Sequence, residues 1–266
     1  MRTFLEIYAH WFAKQRLAKW NYLLLNLGLR GLGILNYQNA DLSGEKIFLK
    51  RLLSTCKSPV IFDVGANLGS YAEMVQYFSN SALIYCFEPH PKNFQKLLSK
   101  FSNSRVKTIN CAVGDQPGQI QLFDYADNDG SSHASVYREV IEEIHDSISA
   151  PHVVEMITLD SYCIANNIQH INLLKIDTEG NELSVISGAS RLINNQSIDF
   201  IQFEFNEMNI ISRVFLRDFR IILPNYTFYR LLPKGMIPIK SNGMDEIFAF
   251  QNIVAVRNDV RLTSPF

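Results

Sequence analysis

No two cysteines in this sequence stand at a metal-binding or redox spacing. Cys56, Cys86, Cys111 and Cys163 are the only four, with no CxxC and no Cys/His pair at zinc spacing, which argues against a structural zinc site. Cys86 and Cys111 fall inside apolar runs, the pattern of reduced, buried thiols in a reducing compartment. Neither sign of charge is in excess. The net of -1 gives no electrostatic ground for a nucleic-acid partner. Long apolar runs are missing too. The most apolar window, 20–29, is closed by Lys19 and Arg30, well short of the roughly 20 residues that a membrane span needs. The first residues carry Arg2, Glu6, Lys14, Arg16 and Lys19 and no compact apolar core with a cleavage site, so they do not read as a secretory signal. Internal repeats and low-complexity tracts are absent.

What is present is core-forming material. The chain has 266 residues, 47% of them hydrophobic, enough for one large domain or two small ones. Residues 1–59 hold nine Lys or Arg and three Asp or Glu, a net of +6, which leaves -7 for the remainder. Phe4, Tyr8 and Trp11 recur at helical spacing there. Two readings compete for this segment: a helical cap packed on the main domain, or an amphipathic segment resting on an anionic membrane surface. The cap is favoured, because amphipathic helices are far more often core-facing.

From Val60 the chain alternates. "PVIFDVG", "ALIYCFEP", "VKTINCAV", "INLLKID" and "IDFIQFEF" read as buried strands; "NLGSYAEMVQYF", "PKNFQKLLSKF" and "NELSVISGASRLI" read as helices. Such alternation predicts a parallel sheet covered on both faces. "NYTFYRLL" and "EIFAFQNIVAV" predict an antiparallel pair at one sheet edge. Residues 116–158 interrupt the pattern: "GQIQLFDY" and "HVVEMITLD" are strand-like and flank a polar stretch, 126–147, too long for a tight connection. Long insertions of this kind are lids, binding loops or disorder. The expected division is a helical segment at 1–58, an α/β domain at 59–256 and a tail at 257–266.

"FDVGANLGSY", 62–71, is a strand, a glycine turn and a helix start. Gly65 is expected to let backbone approach a ligand, and Gly69 to let the helix pack close to the sheet. The spacing D-x-G-x-x-x-G differs from the G-x-G-x-x-G that wraps a pyrophosphate. Glu88 closes the second strand, where a carboxylate can accept hydrogen bonds from ribose hydroxyls; the alternative is a solvated acid before a proline turn.

With "YCFEPHP", "NCAVGD", "TLDSY" and "LLKIDTEGNELSVISGA", this block resembles the FkbM family of S-adenosylmethionine-dependent methyltransferases, from about Gly44 to about Val256. The resemblance implies a class I methyltransferase (Rossmann-like) fold: α/β, with a seven-stranded, mostly parallel sheet whose last strand is antiparallel, here preceded by the N-terminal helical segment. It implies that S-adenosylmethionine is the cofactor, with its methionine part among Asp63, Gly65 and Asn67, its ribose on Glu88, its adenine near Ala112, and Ala66 and Gly69 as further cofactor-binding residues. A helix starting near Asn67 would hold the cofactor carboxylate at its N-terminus. A positive sulfonium suits a site rich in acids.

"KIDTEGNEL", 175–183, crowds Asp177, Glu179 and Glu182 around one glycine where a buried strand ends. Methyl transfer is a displacement on carbon, and much of its catalysis is positioning. A hydroxyl acceptor must also lose a proton, and a placed carboxylate or histidine takes it for about 10²–10⁴-fold in rate. Asp177 and Glu179 are the first candidates, because close carboxylates raise each other's pKa. His133, in the insertion, is a further candidate that could fold over the acceptor, although a surface histidine is the commoner state. Glu182 is expected to serve the dipole of the following helix. Asp177, Glu179 and Glu204 could hold Mg²⁺ or Mn²⁺, a minority reading; no metal is expected. His90 is expected to be exposed in a turn, and His10, His145, His152 and His170 give no signal.

The expected activity is O-methylation of a hydroxyl on a sugar, glycan precursor or related natural product. Two alternatives stand beside it: a nicotinamide-dependent oxidoreductase, against which the missing G-x-G-x-x-G counts, and a non-catalytic cofactor-fold module associated with a membrane or a glycan-assembly complex. The expected location is the cytoplasm, with residues 1–43 as the segment for peripheral contact with the inner membrane face. The sequence does not fix an oligomeric state.

Overall fold

The computed structural model describes residues 2–102, 105–240 and 243–262. Met1 of the N-terminal segment and residues 263–266 of the expected tail lie outside them. The chain opens with helices α1 (Arg2–Phe12), α2 (Ala18–Gly31), α3 (Ala40–Ser43) and α4 (Glu45–Thr55). Next come β1 (Val60–Val64), α5 (Ser70–Phe78), β2 (Leu83–Phe87), α6 (Pro91–Lys100), β3 (Val106–Ile109), β4 (Ala112–Val113), β5 (Gly118–Tyr125) and β6 (Ser149–Ile157). The remainder is α7 (Leu159–Ala165), β7 (Ile171–Ile176), α8 (Glu182–Ser187), α9 (Ser190–Asn194), β8 (Ile198–Phe205), α10 (Met208–Ser212), α11 (Leu216–Ile222), β9 (Tyr226–Leu232), β10 (Gly235–Pro238) and β11 (Gln251–Arg257).

The central sheet runs β10-β9-β11-β8-β7-β1-β2-β3. β3, β2, β1, β7 and β8 pair in parallel, and β11 lies antiparallel between β8 and β9. This is the class I methyltransferase order with its last strand reversed. Three details depart from expectation. The sheet has eight strands, because β10 adds a hairpin to β9. The antiparallel pair β9/β11 does not sit at the edge as a unit, since β11 is the inner strand and β10 forms the edge. "VKTINCAV" also divides: β3 stays in the main sheet, while β4 joins β6 and β5 in a second, three-stranded sheet.

Strands buried on both faces read as continuous apolar runs because helices cover each side. Ile61, Ile84, Leu173, Phe200 and Val254 pack under α4, α5 and α6; Phe62, Val64, Ile176 and Phe203 pack under α7, α8, α9 and α11. The predicted helix "NELSVISGASRLI" breaks into α8 and α9 at Gly188, where a Cβ would overlap the Gly114 carbonyl. All four cysteines are free, and Cys86, Cys111 and Cys163 are buried.

The cap reading holds for part of the N-terminal segment. In α4, Phe48, Leu49, Leu52 and Leu53 are buried, and burying each such side chain contributes about 1.5–3 kcal/mol. Ile34 is fully buried and bridges Gln251. α1 and α2 do not follow: among the described residues neither helix has a buried side chain.

Candidate active site

The carboxyl ends of β1, β2, β7 and β8 bring Asp63, Glu88, Asp177 and Glu204 together, as open α/β sheets do for ligands. Two neighbouring clefts open there. The first, about 570 Å³ counting its open mouth, is lined by Gly65, Asn67, Glu88, Ala112, Asp177 and Glu179 among others. The second includes Asp63, Ala66, Tyr71, Lys175 and Glu204 in its wall. Gly65, Asn67 and Asp177 belong to both.

β1 turns sharply at Gly65, whose φ is +80°. Its glycine is required by the protein itself rather than by a ligand, because a Cβ would overlap the Asp177 carbonyl oxygen. Gly69, at φ +77°, lies on neither cleft wall; a Cβ there would strike Phe101 and Leu97 at the end of α6, not the sheet. α5 begins at Ser70 rather than near Asn67. Asn67 instead adopts φ +48° and donates its N–H to Glu88 Oε2 at 2.7 Å, while the His90 N–H donates to Glu88 Oε1 at 2.8 Å. Glu88 is therefore a buried, oriented acid and not a solvated one. Burial pushes its pKa up to about 7 against the pull of those two hydrogen bonds. Each oxygen keeps a lone pair free, which fits a ribose diol. Cys111, Ala112, Val113 and Leu122 supply an apolar wall beside it. Asp63 Oδ2 and Asn67 Oδ1 are buried without a hydrogen-bond partner, as polar atoms awaiting a ligand would be. These features fit S-adenosylmethionine.

Asp177 is not the unpaired acid that "KIDTEGNEL" suggests. Lys175, two residues earlier and so on the same strand face, donates to Asp177 Oδ2 at 2.9 Å. Lys175 is buried, with its ammonium 5.5 Å from the Tyr71 ring centroid. Burial alone would lower its pKa, but Asp177, Glu45, Glu204 and Asp63 together hold it above its ordinary value. Tyr71 donates to Gln202, and Gln202 to Glu45 at the start of α4. The sequence marks Lys175 only as a polar break in an apolar run. An ionisable residue two before a strand-end acid was the available signal.

The acids around this lysine are shifted strongly. Burial, less the attraction of Lys175, pushes Asp63 up to about 7. Glu179 and Glu204 are held well above the carboxylate range by burial and then by Asp177. Glu179 sits at φ +53°. Glu182 opens α8, where the helix dipole favours an acid as expected, and it has a further task. Its Oε1 accepts from the Thr178 N–H, the Thr178 hydroxyl and the Gly180 N–H, which latches the 178–180 turn and fixes Glu179.

The insertion is an ordered wall. Ser132, Ala134 and Val136 line the first cleft, Ser135 bridges Phe123, and the Ser135 hydroxyl donates to the Glu179 carbonyl at 2.7 Å. His133 alternates to the other side. It is hydrogen-bonded to Tyr125 and stacked on His145 at 4.3 Å, so the structure does not bring it to the acids. His90, expected to be exposed, is buried.

A family model described as the methyltransferase FkbM domain matches residues 63–228. The 2-O-methyltransferase NoeI of Sinorhizobium fredii is 26% identical over 67% of this chain and 76% of its own length. The hexuronic acid methyltransferase AglP of Haloferax volcanii is 26% identical over 62% of this chain, which spans 64% of that relative. Among solved structures, an S-adenosylmethionine-dependent O-methyltransferase from Thermotoga maritima superimposes with a TM-score of 0.41 at 10% identity, covering 82% of this chain and 66% of that one. That likeness is too loose to bear on function.

Proposed function

The chain belongs to the FkbM methyltransferase family, and from that premise we propose that it methylates a hydroxyl oxygen of a sugar or related glycan precursor. S-adenosylmethionine supplies an electrophilic methyl group on a positively charged sulfonium. Glu88 accepts the ribose hydroxyls, the wall at 111–113 takes the adenine, and the free oxygens of Asp63 and Asn67 receive the methionine ammonium. The observation that carries the reading is the set of acids crowded around the buried Lys175, with Asp177 among them on the walls of both clefts. Glu179, with its raised pKa, accepts the proton of the acceptor hydroxyl. Asp177, tethered by Lys175, positions that hydroxyl. The names of the relatives support oxygen as the target and a sugar acid as an acceptor class. The test is incubation with methyl-labelled cofactor and a panel of hexoses, hexuronic acids, polyketide alcohols and amines, read by mass. A single methyl gained on a sugar hydroxyl is expected; transfer confined to amines or polyketides overturns the reading.

α1 and α2 support a second reading, peripheral contact with an anionic membrane. Phe4, Trp11, Trp20, Leu24 and Leu27 are all more than half exposed, and apolar patches of this kind mark interaction surfaces. Residues 1–40 carry five Lys or Arg and one acid. A second copy would present the same basic face and be repelled, whereas anionic lipid attracts it. No helix among the described residues is long and apolar enough to cross a membrane. Flotation with phosphatidylserine vesicles is expected, with loss in Lys14→Glu/Lys19→Glu. Equal flotation of both proteins, or none, refutes this.

A further inference from the structure

A second polar cluster lies beside the first cleft and has no part in the chemistry above. His90 caps α6, Asp124 is in β5, Asp129 is in the insertion, and His152 is in β6. The ring nitrogens His90 Nε2 and His152 Nε2 each stand 3.0 Å from one oxygen, Asp129 Oδ1. Asp124 Oδ2 is 3.4 Å from His90 Nε2. The two imidazoles meet edge to face with centroids 4.6 Å apart.

Several features make this more than an ion pair. His90 and Asp124 are almost wholly shut off from solvent. The His152 Nε2 atom is also buried and, despite its approach to Asp129, makes no hydrogen bond. Zinc–nitrogen and zinc–oxygen bonds of about 2.0–2.1 Å place tetrahedral ligand atoms about 3.3 Å apart. The two imidazole nitrogens, each 3.0 Å from Asp129 Oδ1, lie within a few tenths of an ångström of that edge, and all three ligand atoms fall within 4.8 Å of one another. Asp124 is engaged elsewhere: its oxygens accept from the Tyr125, Gly130 and Ser131 N–H groups and from the Ser131 hydroxyl.

We propose that His90, His152 and Asp129 bind one divalent transition-metal ion of the zinc class, with Asp124 as an adjacent counter-charge and the fourth position open to water. Two imidazoles and a carboxylate suit zinc. The ligands are far apart in sequence, which is why no ligand spacing marks them. The ion joins three segments: the turn after β2, the insertion and β6. Asp129 lies two residues before Ser131, which with Ser132 lines the first cleft. The metal therefore staples the insertion over that cleft and is structural, away from Asp177 and Glu179.

The test is calorimetric titration of Zn²⁺ into chelator-treated, tag-free, full-length protein, alongside Asp129→Asn and His152→Gln. Both substituted side chains are partly exposed, and thermal melts verify that the variants fold. One ion per chain is expected for the wild type, with affinity reduced about 100-fold or more in each variant. Co²⁺ in the wild type alone should give visible absorption bands of a four-coordinate site. Absence of stoichiometric binding, equal binding by the variants, or a six-coordinate Co²⁺ spectrum each overturns the proposal.

Discussion

Replacing Asp63 with asparagine tests whether burial dominates the charge state of this site. The carboxyl is buried at the end of β1, and its pKa rises from 3.8 to about 7. In the unfolded chain it titrates near its ordinary value. Between these two pH values the native state binds more protons than the unfolded one, so stability falls as pH rises. The contribution is fully present below pH 3.8 and is lost as pH passes 7. A shift of about three units at 1.36 kcal/mol each makes the whole loss about 4 kcal/mol, of which about 2–3 falls between pH 5 and pH 8. Asparagine cannot ionise. Its amide costs about 1–3 kcal/mol if left without a partner, but that cost does not vary with pH. Urea unfolding at pH 5 and pH 8 separates the two effects. The stability difference between Asp63→Asn and the wild type should move in the variant's favour by about 2–3 kcal/mol across that interval. The same variant should bind S-adenosylmethionine more weakly, so that stability and function trade against each other. A stability difference that is constant with pH would refute the reasoning, because it would mean that Lys175 keeps Asp63 ionised throughout.

The remaining predictions concern single side chains. Glu88→Ala removes the free lone pairs offered to the ribose and should weaken S-adenosylhomocysteine binding by about 10–100-fold in calorimetry, at about 1.5–3 kcal/mol for hydrogen bonds to a charged group; unchanged affinity would remove the ribose assignment. Asp177→Asn should slow methyl transfer by about 10²-fold or more with cofactor affinity nearly unchanged, and a large loss of cofactor binding would move Asp177 into the cofactor shell. Gly65→Ala forces a Cβ onto the Asp177 carbonyl in a left-handed conformation and should cost about 3 kcal/mol or more, seen as a lowered urea midpoint.

The limits of the sequence are physical. β8 reads off the sequence to the residue because Ile198, Phe200, Ile201, Phe203 and Phe205 put apolar side chains on both of its faces, and β5 because its ends are marked by Gly118 and the following polar stretch. Strand "VKTINCAV" reads as one element because local pattern does not record a change of sheet at Asn110 and Cys111. Asp63, Gly65, Asn67, Glu88 and Ala112 are legible through a motif, and the structure gathers them on the walls of the two adjacent clefts. The partner of Asp177 stands in the sequence without its role. Lys175 breaks an apolar run, and only the packing of β7 between β1 and β8 turns that break into a buried cation. His90 looks like a turn residue because the residues that enclose it, Asp124, Asp129 and His152, arrive from 34 to 62 positions away. Glu182 holds donors from its own turn, yet those contacts depend on the strained conformation of Glu179, which residue types do not announce.

We propose that the second cleft contributes to acceptor choice. Its Asp63, Lys175, Asp177 and Glu204 lie within the stretch matched by the family model, 63–228, but Ala40 and Glu45 do not. Glu45 is held there by Gln202 at 2.8 Å and by the burial of α4 beneath it. A wall built from outside the shared domain can differ between relatives without disturbing the cofactor cleft, as specificity elements do. Residues 32–39 alone separate the exposed α2 from that wall. Contact of α1 and α2 with a charged surface would thus act on the same segment that walls the second cleft. Glu45→Gln should leave S-adenosylhomocysteine affinity intact while changing the KM for acceptor, whereas an effect on the cofactor alone would place α4 on the wrong side of the reaction.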